Sequence, residues 1–190
     1  MSKRVISHRD FVRDLDRGAV GEDVAEEFFK REYNVLLTNV SGSNRHWDFE
    51  VLDLVEDVKN QRKVVKDKLL KKFKKSFGTT IEVKYDEAAA RYGNFFIELL
   101  FDIENDTAGA ITTCKADLIV WVVPAKKGWY KLYLCKRAEF ISWLIMYVLT
   151  NKDKVKLKVP GISPRARGIP IPIKDIKESY GFLGDFDFRI

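Results

Sequence analysis

The sequence predicts an α/β domain in which a mixed β-sheet is flanked by helices. Two observations support this class: one N-terminal stretch has the apolar period of an amphipathic helix, and several later segments alternate apolar and polar residues or form β-branched runs typical of strands. The chain has 190 residues, of which 46% are hydrophobic and 33% charged, so a single domain with its own core is expected.

The first predicted element is a helix over residues 18–33. Its apolar residues form one broad stripe, and Glu22 lies at the edge of that stripe, where it can meet another element. A short apolar run follows, and strands are then predicted at residues 47–54, 79–86, 94–103, 116–123 and 129–134. The fourth of these is a continuous β-branched run (ADLIVWVV), which suits a strand covered on both faces.

Three further segments complete the predicted order. Residues 86–93 (DEAAARYG) are expected to form a loop with Arg91 and Tyr92 exposed at its tip. Residues 136–149 predict a helix that is apolar almost all round, either in the core or in part a homodimer interface. Residues from about 150 to 190 are rich in proline and glycine and are expected to be an irregular extension with one short strand (IPIPI).

Positive charge is concentrated in one short segment. The formal net charge is +6, but residues 59–75 hold nine Lys or Arg and a single acid, so this basic segment carries +8 and the rest of the chain −2. Val65, Leu69, Phe73 and Phe77 recur every four positions between the lysines, which predicts an amphipathic helix or a hairpin arm. Such a local asymmetry favours a polyanionic partner, with nucleic acid preferred over an anionic membrane.

The cysteines and the lengths of the apolar segments restrict the cellular location of the protein. Cys114 and Cys135 form no ligand cluster and are predicted to be buried thiols in a reducing compartment. The N-terminus carries charges where a signal peptide needs apolar residues, and the longest nearly apolar run, residues 140–149, is shorter than the ~20 residues of a membrane span. Secretion and transmembrane anchoring are therefore disfavoured.

Residues 81–84 (IEVK) carry the strongest functional signal. In a strand, the side chains of Glu82 and Lys84 project on one face while those of Ile81 and Val83 enter the core. Asp48 lies on the preceding predicted strand, whose pairing can bring it next to Glu82. Two converging carboxylates repel each other unless a cation lies between them, and hard oxygen ligands suit Mg²⁺ or Mn²⁺. Lys84 beside such a metal can orient or deprotonate a water, which suits phosphodiester hydrolysis.

This pattern resembles the PD-(D/E)XK nuclease superfamily, which includes restriction endonucleases, Holliday junction resolvases and phage nucleases. The resemblance covers about residues 18–123 and comprises Gly21-Glu22 and Ala25 on the first helix, Asp48 on the second strand, and Glu82-Val83-Lys84 on the third. It implies a restriction endonuclease-like sheet. It also implies that Asp48, Glu82 and the backbone carbonyl of Val83 hold Mg²⁺ or Mn²⁺, that Lys84 is the catalytic lysine, and that Glu22 assists at the metal site.

The chain departs from the family pattern in two ways. Trp47 stands where a proline is usual before Asp48, and 34 positions separate Asp48 from Glu82. The excess is the basic segment, which predicts a helical or hairpin insertion between the second and third strands, close to the site and able to bind DNA. The residues expected to contact DNA are Lys63, Lys66, Lys68, Lys71, Lys72, Lys74, Lys75, Arg91, Arg165 and Arg167.

Several residues are second-tier candidates. A likeness to phage-type members through RYGNFFIEL and AGAITTCKAD adds Asn94, Glu98, Thr113 and Asp117. His46 lies two residues before Asp48 and could touch DNA or a metal, although a lone histidine in a loop is more often solvated.

The sequence therefore predicts a metal-dependent DNA endonuclease, and the family resemblance implies 5′-phosphate and 3′-hydroxyl ends. A structure-selective Holliday junction resolvase is a variant of this prediction. Two other classes stay open: a non-catalytic DNA-binding or assembly protein on the same fold, and a peripheral membrane protein that uses the basic segment. DNA is the predicted partner, a homodimer is compatible with the apolar helix, and the predicted location is the cytoplasm, for a cellular or a virus-encoded protein.

Overall fold

A mixed β-sheet of six strands forms the centre of the structure, a computed structural model that describes residues 8–33, 35–41, 46–54, 79–102, 105, 107–158 and 166–190. In chain order the elements are α1 (His8–Phe28) with a π-helical turn (Phe29–Tyr33), β1 (Val35–Asn39), β2 (Phe49–Leu54), β3 (Thr80–Tyr85), α2 (Glu87–Tyr92), β4 (Asn94–Asp102), β5 (Thr107–Ala108), α3 (Ala110–Thr113), β6 (Leu118–Pro124), β7 (Trp129–Lys136), α4 (Arg137–Thr150), β8 (Arg167–Pro172), α5 (Ile173–Ser179) and β9 (Gly184–Arg189).

The large sheet has the strand order β1-β2-β3-β6-β7-β9. Strands β3 and β6 run parallel, and every other neighbouring pair is antiparallel. A smaller antiparallel sheet has the order β5-β4-β8. The predicted α/β class, with helices around a mixed sheet, is confirmed.

Strand β6 lies in the middle of the core. All its residues except Pro124 are buried, because alternate side chains pack on opposite sides of the sheet. Val120 and its neighbours on one face join a cluster with Phe28 of α1. Trp121 and its neighbours on the other face join a cluster with Phe140 of α4 and residues of the smaller sheet. The prediction that residues 116–123 form a strand covered on both faces is therefore confirmed.

Gly21 allows α1 to pack closely against β3. A Cβ atom at this buried position would lie 2.8 Å from the Cβ of Tyr85, closer than two carbon atoms normally approach. The missing side chain therefore sets how near the helix that carries Glu22 comes to the strand that carries Glu82 and Lys84.

We expect the substitution Gly21→Ala to destabilise the protein by roughly 1–3 kcal/mol, because overpacking against Tyr85 outweighs the better helix propensity of alanine. Gly18→Ala in the same helix is the matched control, since no atom lies within 4 Å of an added Cβ there. That change is expected to stabilise by up to about 1 kcal/mol. Urea denaturation followed by circular dichroism measures both, and equal free-energy changes would contradict the close packing.

Two helices differ from their predicted extent. Residues 87–92 form α2 and not a loop, because Asp86 accepts the Ala89 amide hydrogen at 2.8 Å and caps a run of three alanines. Gly93 ends this helix in the left-handed conformation, with φ of 67°. Helix α1 begins at His8, ten residues before the predicted start.

The C-terminal region is more regular than predicted. The short strand predicted from IPIPI is present as β8, whereas the expectation of an otherwise irregular extension is wrong where α5 and β9 form. Strand β8 tolerates Pro170 and Pro172 because it lies at the edge of the smaller sheet, where a missing amide hydrogen costs little. Strand β9 pairs with β7 and completes the large sheet.

Helix α4 confirms the predicted C-terminal helix but is only partly buried. Phe140 and Leu144 face the core, whereas Ile145, Met146 and Leu149 are each more than half exposed. A homodimer interface on this face stays a prediction. No helix in the part of the chain that the structure describes is both long enough and apolar enough to cross a membrane.

Candidate active site

Asp48 and Glu82 meet where β2 begins beside β3. Phe49 pairs with Ile81 in the antiparallel ladder, so the next position along the ladder places Asp48 opposite Glu82. The Asp48 amide donates to the Ile81 carbonyl at 2.9 Å, and the Asp48 Oδ2 accepts the Val83 amide hydrogen at 2.7 Å. The structure therefore brings these two predicted acids together, with the Asp48 carboxylate fixed by the backbone of β3.

Glu82 and Lys84 project from the same face of β3. Ile81 and Val83 point to the opposite face and join the core against α1. Glu82 is only 9% exposed, and the Lys84 Nζ donates a hydrogen bond to its Oε1. A buried carboxylate is costly unless it is paired, so this ion pair lets an acid lie inside the protein.

Negative charge is in excess at Asp48. The pKa of Asp48 is raised to about 6, chiefly by burial, then by the nearby Glu82 charge, with a smaller contribution from Glu22. The amide of Val83 and the charge of Lys84 act in the opposite direction without cancelling the rise. The site is thus short of positive charge when Asp48 is ionised.

Lys84 is held in its charged form. Burial acts to lower the pKa of Lys84, but the charge of Glu82 and its hydrogen bond to the ammonium outweigh that effect, with help from Asp48. The pKa of Lys84 is therefore above its ordinary value. In this state Lys84 donates a hydrogen bond to Glu82 and is a positive charge near Asp48.

Glu22 reaches the same site from α1. Its Oε2 accepts hydrogen bonds from Asn39 Nδ2 at 2.7 Å and Ser41 Oγ at 3.2 Å, and it contributes to the electrostatics of Asp48. Asn39 and Ser41 were not among the residues predicted from the sequence. Their turn-rich surroundings were visible in it, but nothing in the pattern links them to a helix seventeen residues earlier.

The backbone of β3 adds one carbonyl oxygen, that of Val83, next to Asp48. Peptide groups of alternate strand residues point to the same neighbouring strand. Because the Val83 amide and the Ile81 carbonyl both contact Asp48, the Val83 carbonyl is directed to the side on which Asp48 lies. The Val83 carbonyl oxygen therefore lies on the same side of β3 as the Asp48 carboxylate.

Within the described ranges, no three His, Cys, Asp or Glu side chains are spaced to hold a metal ion. The available donors are nevertheless hard oxygens, which suit Mg²⁺ or Mn²⁺. The raised pKa of Asp48 is the observation that fits such an ion, because a divalent cation would compensate the repulsion between Asp48 and Glu82.

Cys114 also lies within electrostatic reach of the ion pair. Burial raises the pKa of its thiol, the charge of Glu82 raises it further, and the charge of Lys84 lowers it. The side chain is 3% exposed and free of disulfide bonds, as predicted for both cysteines. No pattern in the sequence indicated that this thiol would neighbour the site.

The second-tier candidates lie in several places. The Nδ1 of His46 is 3.3 Å from the Thr113 carbonyl, so the chain before Asp48 is held at the end of α3. Asp117 Oδ2 accepts the amide and hydroxyl hydrogens of Thr80, both at 2.9 Å, and so aligns the starts of β6 and β3. Asn94 and Glu98 lie on β4 in the smaller sheet, opposite Pro172 and Gly168.

Of the residues predicted to contact DNA, Arg91 and Arg167 fall within the described residues. Arg91 is exposed on α2, and its guanidinium lies 5.9 Å from the centre of the Tyr92 ring. Arg167 begins β8, and its Nη1 donates to the Ala166 carbonyl. The basic segment 59–75, with all its lysines, and Arg165 lie outside the described residues.

Comparisons of the chain with protein-family models, with curated proteins and with solved structures find no match.

Proposed function

We propose that this protein is a metal-dependent DNA endonuclease that hydrolyses phosphodiester bonds to 5′-phosphate and 3′-hydroxyl ends. The observation that carries the proposal is the meeting of Asp48 and Glu82 on neighbouring strands, with the Lys84 ammonium bonded to Glu82. Strand pairing and the family resemblance both predicted this grouping for residues 34 positions apart. The proposal includes the restriction endonuclease-like fold, for which the parallel pairing of β3 with β6 is further support.

Each residue has a role that follows from its position. Asp48, Glu82 and the Val83 carbonyl would hold Mg²⁺ or Mn²⁺, which supplies Lewis-acid polarisation of the phosphate and a more acidic water. Lys84 would orient the attacking water and offset negative charge that develops on the phosphate oxygens. Glu22, positioned by Asn39 and Ser41, would accept hydrogen bonds from water at the edge of the site.

The direct test is a cleavage panel of linear, circular, single-stranded, flap and four-way DNA with Mg²⁺, Mn²⁺ or EDTA. We expect cleavage with either metal, none with EDTA, and end-labelling consistent with 5′-phosphates. The variant Glu82→Gln keeps the size of the side chain and loses its charge, so it should not cleave. Equal cleavage by wild type and Glu82→Gln would exclude the assignment.

Metal binding can be measured apart from activity. We expect Mn²⁺ to raise the melting temperature, because an ion that binds only the folded chain stabilises it. At ten times the dissociation constant the gain is about 1.4 kcal/mol, or roughly 3–5 °C for a chain of this size. Glu82→Gln should lose this shift, whereas the exposed control Glu139→Gln should keep it. An equal shift in all three proteins would contradict a metal at Glu82.

A second candidate is a non-catalytic DNA-binding protein on the same scaffold. It is favoured by the ion pair of Lys84 with Glu82, which already compensates one acid, and by the lack of a three-ligand cluster among the residues described. This candidate predicts salt-sensitive DNA binding that survives Glu82→Gln, without metal-dependent cleavage. The cleavage panel therefore separates the two candidates.

A further inference from the structure

A groove opens between α1 and α2, beside the end of β3 that carries Lys84. Its volume is about 520 Å³, within the range of small-molecule and nucleotide sites. Its walls include Arg17 of α1, Val83 and Lys84 of β3, the cap residue Asp86, and Arg91 and Tyr92 of α2. Val83 and Lys84 belong both to this groove and to the candidate active site, so the groove adjoins that site.

The charged groups of the groove are unequally compensated. Arg17 forms a salt bridge with Glu87 at 2.7 Å, and Lys84 is bonded to Glu82. Asp86 is occupied as the cap of α2. Among the described residues, Arg91 has no carboxylate partner, and the contact it makes is with the ring of Tyr92. Arg91 is therefore the cation of this groove available to an incoming phosphate.

Tyr92 presents its ring to solvent at the rim of the groove. It is 66% exposed, more than any other large hydrophobic side chain in the described part of the chain. The backbone that carries the ring is fixed, because α2 is capped at one end by Asp86 and closed at the other by Gly93, whose amide donates to the Ala89 carbonyl at 2.9 Å. An exposed ring on a fixed helix end, beside a guanidinium, is the arrangement that single-stranded nucleic acids use for base stacking.

We propose that this groove binds an unpaired nucleotide of the DNA substrate, with its base stacked on Tyr92 and its phosphate contacted by Arg91. The inference rests on the proposed function in one respect: the DNA strand that carries this nucleotide would continue to the candidate active site at Lys84. Bases of an intact duplex are stacked inside the helix and cannot reach a protein ring without being unstacked. The groove therefore selects single-stranded DNA, or the single-stranded arm of a flap or junction, and is tolerant of base identity because every base has a π-face.

The test is DNA binding in EDTA, which separates binding from cleavage. The probes are a fluorescein-labelled oligothymidylate and a duplex hairpin of equal length, followed by fluorescence anisotropy across a salt series. Tyr92→Ala is expected to weaken binding of the single strand by roughly 5- to 100-fold, the effect of one lost base stack. Binding of the hairpin should change less than about twofold. Stacking depends little on salt, whereas phosphate contacts weaken as the salt concentration rises. The difference in single-strand affinity between wild type and Tyr92→Ala should therefore persist at high salt.

Three variants control this measurement. Tyr92→Phe keeps the ring and should bind as wild type, whereas Arg91→Gln should weaken binding and reduce its salt dependence. Trp129 is an exposed aromatic residue elsewhere on the molecule, with Arg189 at 5.8 Å from its ring, so Trp129→Ala should change nothing. Equal losses for single strand and hairpin, or no loss in Tyr92→Ala, would overturn the inference.

The binding test of the groove does not depend on whether the protein cleaves DNA. If wild type binds the single strand through Tyr92 but never cleaves with Mg²⁺, the groove is supported and the nuclease proposal fails. If wild type cleaves and Tyr92→Ala binds the oligothymidylate as tightly as wild type, the nuclease stands and the groove proposal fails.

Discussion

Replacing Lys84 by alanine is expected to lower the rate of DNA cleavage by at least about 100-fold, the usual loss when a positioned proton donor or charge-stabilising group is removed. The physical reason is that Lys84 is the cation that faces both carboxylates, and its raised pKa keeps it charged at neutral pH. Single-turnover cleavage under saturating Mg²⁺ measures the chemical step directly.

The same change leaves the Glu82 carboxylate buried without its partner, so a loss of folding has to be separated from a loss of chemistry. Lys84→Gln keeps a hydrogen-bond donor toward Glu82 and should stay folded while remaining inactive. Lys131→Ala is the matched control, because Lys131 is also a strand lysine with a carboxylate partner, Asp187 at 3.5 Å. A folded Lys84→Gln protein that cleaves as fast as wild type would exclude a role for the ammonium.

Asp48→Asn should make the protein more stable above about pH 6 while abolishing cleavage. The pKa of Asp48 is about 6 in the folded state, whereas an aspartate in an unfolded chain has a pKa of about 3.9. The difference corresponds to on the order of 2–3 kcal/mol of unfavourable free energy when Asp48 is ionised in the folded protein. Asparagine removes the charge, and its amide oxygen can still accept the Val83 hydrogen.

The sign of the pH dependence follows from proton binding. As the pH rises from about 4 to about 6, the unfolded chain loses the Asp48 proton before the folded protein does. The folded state then holds more protons, so the contribution of Asp48 to the free energy of unfolding falls across this window and stays low above it. Below about pH 4 Asp48 is protonated in both states, and the advantage of Asp48→Asn should disappear.

Guanidinium denaturation in EDTA at several pH values measures this effect without bound metal. Asp117→Asn is a suitable control, because Asp117 is an exposed aspartate that accepts the Thr80 amide hydrogen and should yield no such gain. Equal stabilities of wild type and Asp48→Asn at pH 8 would show that the charge of Asp48 is not destabilising. A gain in stability together with a loss of cleavage would instead identify a residue retained for chemistry.

The parts of the fold that could be predicted are those set by local periodicity. Alternation in β3 and the β-branched run of β6 determine which side chains enter the core, and both strands are present as expected. The DEAAARYG segment is a helix where a loop was predicted, because Asp86 and Gly93 are as typical of helix ends as of turns. Strand β9 was not predicted, because its pairing with β7 joins residues 50 to 60 positions apart.

The candidate site was predictable to a similar degree. Strand pairing and side-chain alternation suffice to bring Asp48, Glu82 and Lys84 to one place, since they depend on register alone. The contacts of Glu22 with Asn39 and Ser41 depend on how closely α1 approaches the sheet. The pKa of Asp48 depends on burial in three dimensions. Neither quantity is encoded in a local pattern.

The antiparallel pairing of β2 with β3 has a consequence for the length of DNA that the proposed endonuclease would contact. The ladder pairs Glu50 with Thr80, so the backbone of β2 runs away from Lys84 along the sheet until β2 ends at Leu54. At about 3.3 Å per residue, Lys84 and Leu54 are separated by roughly 25 Å along the strand direction. A duplex rises about 3.4 Å per base pair, so a ligand running along that direction would need a footprint of about seven or eight base pairs to extend from Lys84 to the point where the chain leaves β2.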